Sequence, residues 1–150
     1  MFDFIINIFN IDKSKIKSFH VSTIDGITYI YISLNPEYPE CPYCHGKSHI
    51  HGYSKPKHIN HPVLTDRKSV IVYTATRYKC KDCQKTFLET NPFTFSTFKN
   101  SFFAMDQIMK DLRNIRMSYL DIARKNNVSV STVQKYMDSF LSSFLDKNFL

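Results

Sequence analysis

Two runs rich in β-branched and aromatic residues, 19–24 and 27–32, flank the dipeptide Asp25-Gly26. Such side chains favour extended backbone, and Asp-Gly supplies the positive φ angles of a tight two-residue turn, so the pattern predicts a β-hairpin. Residues 2–11 ahead of it are apolar enough for a short helix or turn. Asn35-Pro36 and Pro39 end the second strand, because proline has no N–H to offer a ladder. The next strand signal is one unbroken run from Val70 to Tyr78, entered by a polar turn at Thr65-Asp66-Arg67-Lys68 and leading into Cys80. The stretch between Lys55 and Pro62 is interrupted by proline, which excludes a helix and leaves an extended strand or a loop.

Beyond Pro92 the period changes from two to between three and four. Phe102, Met105, Ile108, Met109 and Leu112 share one helical face behind a capping Ser101. Ser118 caps a second short helix from Tyr119 to Lys125, and Ser129 caps a third from Val130 to about Leu145. The predicted fold class is therefore α+β, in three parts: a helix or turn with a β-hairpin at 1–40, a β-rich module at 41–90 and a three-helix segment at 91–150.

The β-rich module carries two C-x₂-C knuckles, Cys41-Pro42-Tyr43-Cys44 and Cys80-Lys81-Asp82-Cys83, separated by 35 residues. Each knuckle turns two thiolates toward one point, and two knuckles make the tetrahedron Zn²⁺ prefers. The long spacer adds little closure entropy, because that cost grows only logarithmically. The reading is a zinc ribbon with structural Zn²⁺ on Cys41, Cys44, Cys80 and Cys83. Disulfides within the knuckles fit a reduced compartment poorly, and a redox C-x-x-C needs a helix N-terminus in a βαβ setting that the pattern does not show. Four sulfurs leave no open position for a catalytic water, so no catalytic residue is assigned and a hydrolytic zinc enzyme is a weak alternative. Five of the six histidines, His45, His49, His51, His58 and His61, lie in the same region. With four thiolates available they read as loop residues, solvated or touching phosphate.

The helical segment matches the template of a helix-turn-helix. Ala123 is the small residue at the closest helix crossing, Asn127 takes the left-handed position four residues later, Val128 plugs the core, Ser129 caps, and Val133 and Tyr136 face inward. Ser131, Thr132, Gln134 and Lys135 then lie on the outer face of the third helix, where a recognition helix reads base edges. Arg124 and Lys125 are placed for phosphates, and Arg67, Lys68 and Arg77 join them as phosphate candidates from the β-rich module. Met137, Phe140, Leu141, Phe144 and Leu145 form an apolar stripe at helical spacing. It has three occupants to choose from: this domain, a second chain in a homodimer, or a following domain.

Composition narrows the picture. An apolar fraction of 43% and 15% aromatics exclude a disordered chain. No run of residues is long and apolar enough for a membrane span. Asp3 stands where a secretion signal needs Lys or Arg, so the chain is expected in the cytoplasm. The net charge of +7 is unevenly spread: −2 over 1–40, +6 over 41–90 and +3 over 91–150. A cationic middle suits a polyanion such as double-stranded DNA.

The order of parts, with His51-Gly52-Tyr53, His61-Pro62, Arg77-Tyr78-Lys79-Cys80, Phe87 and the run from Asn127 to Val133, resembles the N-terminal half of bacterial insertion-sequence transposases of the ISL-three type. The resemblance implies a zinc-binding module and a helix-turn-helix that recognise terminal inverted repeats. In those proteins a larger catalytic domain with an acidic, metal-binding triad follows, whereas only fourteen residues follow Tyr136 here. Sequence-specific binding of double-stranded DNA without strand transfer is thus expected, from a shortened transposase or a stand-alone descendant. The alternative is a protein-interaction module that regulates an intact transposase, or another element or host protein, through mixed oligomers.

Overall fold

A computed structural model describes residues 1–62 and 67–148, excepting the side chains of Phe144, Asp146, Lys147 and Asn148. The order of elements is α1 (Phe2–Ile8), a 3₁₀ turn (Lys13–Lys15), β1 (Ile16–Ile24), β2 (Ile27–Leu34), β3 (Ser48–Tyr53), β4 (Lys57–Asn60), β5 (Ser69–Tyr73), β6 (Thr76–Cys80), β7 (Thr86–Leu88), α2 (Phe102–Leu112), α3 (Tyr119–Asn126) and α4 (Val130–Asn148). The protein is α+β, with two sheets among the described residues ordered β1-β2-β5-β4 and β3-β6-β7.

The hairpin forms as the sequence predicts. Asp25 and Gly26 sit at φ 50° and 75°, the doubly left-handed turn whose twist matches two right-twisted strands, and Ile24 pairs with Ile27 across it. Thr65 and Asp66 of the expected polar turn lie outside the described residues, as does the side chain of Phe144 of the apolar stripe.

The run from Val70 to Tyr78 is not one strand. It breaks at Thr74-Ala75 into β5, which pairs in parallel with β2 and antiparallel with β4, and β6, which pairs with β3 and β7. Side chains and neighbouring backbone absorb the polar groups freed at the break: Ala75 N–H donates to Ser54 Oγ at 3.0 Å and Thr76 N–H to the Glu89 carboxylate at 2.8 Å. The Tyr73 hydroxyl donates to the same carboxylate at 2.6 Å, so Glu89 stitches the two sheets together. The segment read as one module, 41–90, is thereby shared between both sheets, since β4 and β5 complete the sheet begun by the hairpin. Residues 57–60 settle as strand β4.

The larger core lies under one face of the first sheet. Ile30, Ile32, Ile59, Ile71 and Tyr73 point inward there and meet Ile5 of α1 and Phe93. Each fully buried side chain of this kind contributes about 2 kcal/mol. A second core of Ile108, Ile122, Ala123 and Val133 joins α2, α3 and α4.

All three serine caps are realised. Ser101 Oγ accepts from Ala104 N–H, Ser118 and Asp121 form a reciprocal capping box, and Ser129 Oγ accepts from Thr132 N–H. Asn127 ends α3 at φ 52° and ψ 44°, the left-handed region that costs an ordinary L-residue about 1–2 kcal/mol. An Asn127→Gly variant should therefore unfold at higher denaturant and Asn127→Val at lower, each by roughly 1 kcal/mol. Equal midpoints would contradict the strained turn.

Candidate functional site

β6 delivers Cys80 to the end of the second sheet, where it pairs in register with Ser48 of β3. The turn after it returns Cys83, and the first knuckle brings Cys41 and Cys44 to the same place. All four sulfur atoms lie within 4.8 Å of one another. The shortest separations run across the knuckles, 3.6 Å for Cys41 to Cys83 and 3.4 Å for Cys44 to Cys80. These are non-bonded distances, and all four cysteines are free thiols.

Backbone N–H groups point at the sulfurs. Tyr43 N–H donates to Cys41 Sγ and Asp82 N–H to Cys80 Sγ, both at 3.4 Å, the same i+2 contact in each knuckle. Such donors favour thiolate over thiol. The Cys83 N–H foremost, aided by the Asp82 N–H and opposed by burial, brings Cys80 down to about 7. The Gly46 N–H pulls Cys44 the same way, but the crowding of Cys80, Cys83 and Cys41 around it prevails and Cys44 is pushed up to about 12. Four thiols this close cannot all ionise against their mutual repulsion without a cation among them. The cluster can thus hold a metal ion. Gly46 is part of the construction, since a Cβ there would run into the Asp82 carboxylate and come within 3.2 Å of Cys80 Sγ.

No histidine belongs to this cluster among the described residues. His45, His49, His51 and His58 are exposed, but they are not all loop residues as the sequence suggests: His49 and His51 lie in β3 and His58 in β4, where strand pairing fixes their backbones. His61 is not: it is fully buried at the junction of the first sheet, α1 and α2. Its ring packs between Phe9 and Phe103, its Nδ1 lies 2.9 Å from Ser101 Oγ, and its Nε2 is buried without a hydrogen-bond partner. The Ser69 hydroxyl donates to its carbonyl oxygen. The imidazole is half apolar, and the pocket accepts it as a neutral ring rather than as a solvated loop side chain. Burial pushes its pKa down from 6.5 to about 4. The unfolded chain therefore binds an extra proton between these values, and stability present above pH 6.5 should drop by about 3 kcal/mol as the pH falls to 4. A His61→Gln variant whose melting temperature follows the same pH profile would contradict this assignment.

The residues read as candidate nucleic-acid contacts fall in three places. Ser131, Gln134 and Lys135 are exposed on the first two turns of α4 and Thr132 is half-buried beside them. Ser129 Oγ lies 2.9 Å from both the Ser131 and Thr132 hydroxyls, and Gln134 Nε2 donates to Asp138 at 3.2 Å. Arg124 is exposed at the end of α3. Its neighbour Lys125 is engaged: its ammonium lies 2.6 Å from the buried Asp111 carboxylate, which also accepts from Asn126 Nδ2 at 3.0 Å. Lys125 thus helps to fasten α3 to α2. Arg67 and Lys68 lead into β5, and Arg77 is exposed on β6 of the second sheet.

The structure adds two exposed guanidinium groups that the template does not reach, Arg113 and Arg116, in the loop between α2 and α3 on either side of the fully exposed Ile115. Two arginines in one short loop are the available signal. Of the apolar stripe, Met137 and Phe140 are half-buried, whereas Leu141 and Leu145 are exposed. No helix among the described residues is long and apolar enough to cross a membrane. Comparison of the chain with families of known proteins, with curated sequences and with solved structures finds no match.

Proposed function

We propose that this chain binds double-stranded DNA in a sequence-specific way, with α2, α3 and α4 acting as a helix-turn-helix and without catalysis of its own. The observation that carries the reading is the left-handed Asn127 joining α3 to α4. It swings α4 across α3 so that Ala123 and Val133 meet in the core, while Ser131, Gln134 and Lys135 stay in solvent. A helix presented by its N-terminal turns fits the major groove of B-DNA, where each base pair shows a distinct pattern of donors and acceptors. Gln134 and Lys135 supply the donors for base edges, and Arg124, with Arg67, Lys68 and Arg77 from the β-rich part, supplies charge for phosphates.

The metal in this reading is Zn²⁺ with a structural task. Tetrahedral thiolates about 2.3 Å from a zinc ion stand roughly 3.8 Å apart, and the cross-knuckle separations of 3.4 and 3.6 Å fit that donor set. Zinc would offset the repulsion among the crowded sulfurs and close the end of the second sheet as a zinc ribbon. The resemblance of the order of parts to the N-terminal half of insertion-sequence transposases makes sites like terminal inverted repeats the first duplexes to try.

The test is selection of the zinc-loaded protein on a pool of random duplexes. A discrete enriched motif is expected. Retention that depends only on salt, with no enriched sequence, would overturn base readout. Pairing of α4 tails through Leu141 and Leu145 would give the motif two-fold symmetry.

A further inference from the structure

The outer face of the first sheet has no part in the reading above. The inner face holds the larger core, so strand alternation turns His20 and Ser22 of β1, Tyr29 and Tyr31 of β2, and His58 of β4 outward. Four of these carry rings, and the rings form a continuous row. Tyr31 lies 6.0 Å from His20 and 6.4 Å from Tyr29, with interplanar angles of 33° and 32°, and His58 stands edge-on to Tyr29 at 6.4 Å. His20, Tyr31 and His58 are exposed. Val72 of β5, between Tyr31 and His58 in the register, is buried and forms an apolar floor.

The charge of this sheet has one sign. β1, β2, β4 and β5 contain no Asp or Glu, and the exposed Lys68 leads into β5, whereas Lys17 lies over the Tyr53 ring of the second sheet and Lys57 donates to the Phe95 and Ser96 carbonyls. The backbone of Lys68 is fixed against β2, because Thr28 N–H donates to the Lys68 carbonyl at 2.9 Å.

We infer that the row of His20, Tyr31, Tyr29 and His58 is a stacking platform for single-stranded nucleic acid. Every base offers a π-face, so aromatic rings spaced along an open sheet bind successive unpaired bases with little regard to sequence, and a carboxylate-free surround admits their phosphates. A duplex keeps its bases stacked on one another and cannot use such a row. A protein partner would need no freedom from acids across four strands. The platform therefore adds a second nucleic-acid surface of different specificity to the helical one.

The zinc-loaded full chain is titrated with labelled oligothymidylate of about fifteen nucleotides, long enough to cross one such sheet, with oligouridylate, and with a duplex of the same length. The expected result is single-strand binding that a His20→Ala/Tyr31→Leu variant weakens about 10- to 100-fold and that Tyr31→Phe retains. Duplex affinity should stay within about twofold in both. The two single strands distinguish DNA from RNA as the preferred source. Wild-type protein that binds neither single strand more tightly than the double variant does overturns the inference and leaves the face to a protein partner. Loss of duplex binding alone would instead count against the helix-turn-helix reading.

Discussion

Cys80→Ser is expected to abolish metal binding and to unfold the second sheet while the first sheet stays assembled. That sheet has three strands of six, five and three residues, and no residue of it belongs to either apolar cluster. Its buried groups are few: Tyr78, Thr76, Ser48 and Cys80, with Cys41 of the first knuckle beside them. Burial at about 2 kcal/mol per large side chain cannot offset the ordering of two knuckles and three strands. A structural zinc ion bound there would contribute on the order of 10 kcal/mol to folding, more than any other single contribution in this half of the molecule. Metal analysis and amide hydrogen exchange check it together: zinc should disappear and protection should collapse in β3, β6 and β7, with β1 and β2 retained. Full zinc stoichiometry in the variant would sink the four-thiolate assignment.

The second large effect is expected at α4. Replacing Gln134 and Lys135 with alanine should weaken binding to a selected duplex by about 100-fold or more, because each good base contact is worth about 1–3 kcal/mol of discrimination. Binding to unrelated duplex should fall far less, since only one cation has gone. Neither side chain is buried, so melting temperature should hold and the loss can be read as recognition. Equal losses on both duplexes would mean that these residues touch phosphate and read nothing.

Local chemistry makes part of this fold legible in the sequence. The Asp25-Gly26 turn, the serine caps and the left-handed Asn127 each depend on a few neighbouring residues with special backbone or hydrogen-bonding properties, and each is where the sequence puts it. The four cysteines are equally plain, because two C-x₂-C knuckles in one short chain have few other uses. The break between β5 and β6 is hidden, since Thr74-Ala75 carries neither Gly nor Pro. Its cause is tertiary: Ser54 and Glu89, twenty-one and thirteen residues away, take up the polar groups there. Strand β3 is masked by its histidines and Gly52, which lower strand propensity, although β6 pairs along its length. Lys125 reads as a phosphate ligand in the sequence because its partner, Asp111, sits on another helix. His61 reads as a solvated loop residue for the same reason: only the fold brings Phe9 and Phe103 to either side of it.

If the first turns of α4 read bases, they do so from the major groove. Methylation interference on a selected duplex tests it most directly, because guanine N7 lies in the major groove and adenine N3 in the minor. N7 methylation at discrete positions is expected to block binding, and the block at one of them to vanish in the Gln134→Ala/Lys135→Ala variant. Binding indifferent to N7 methylation, or blocked only at adenine N3, would contradict it.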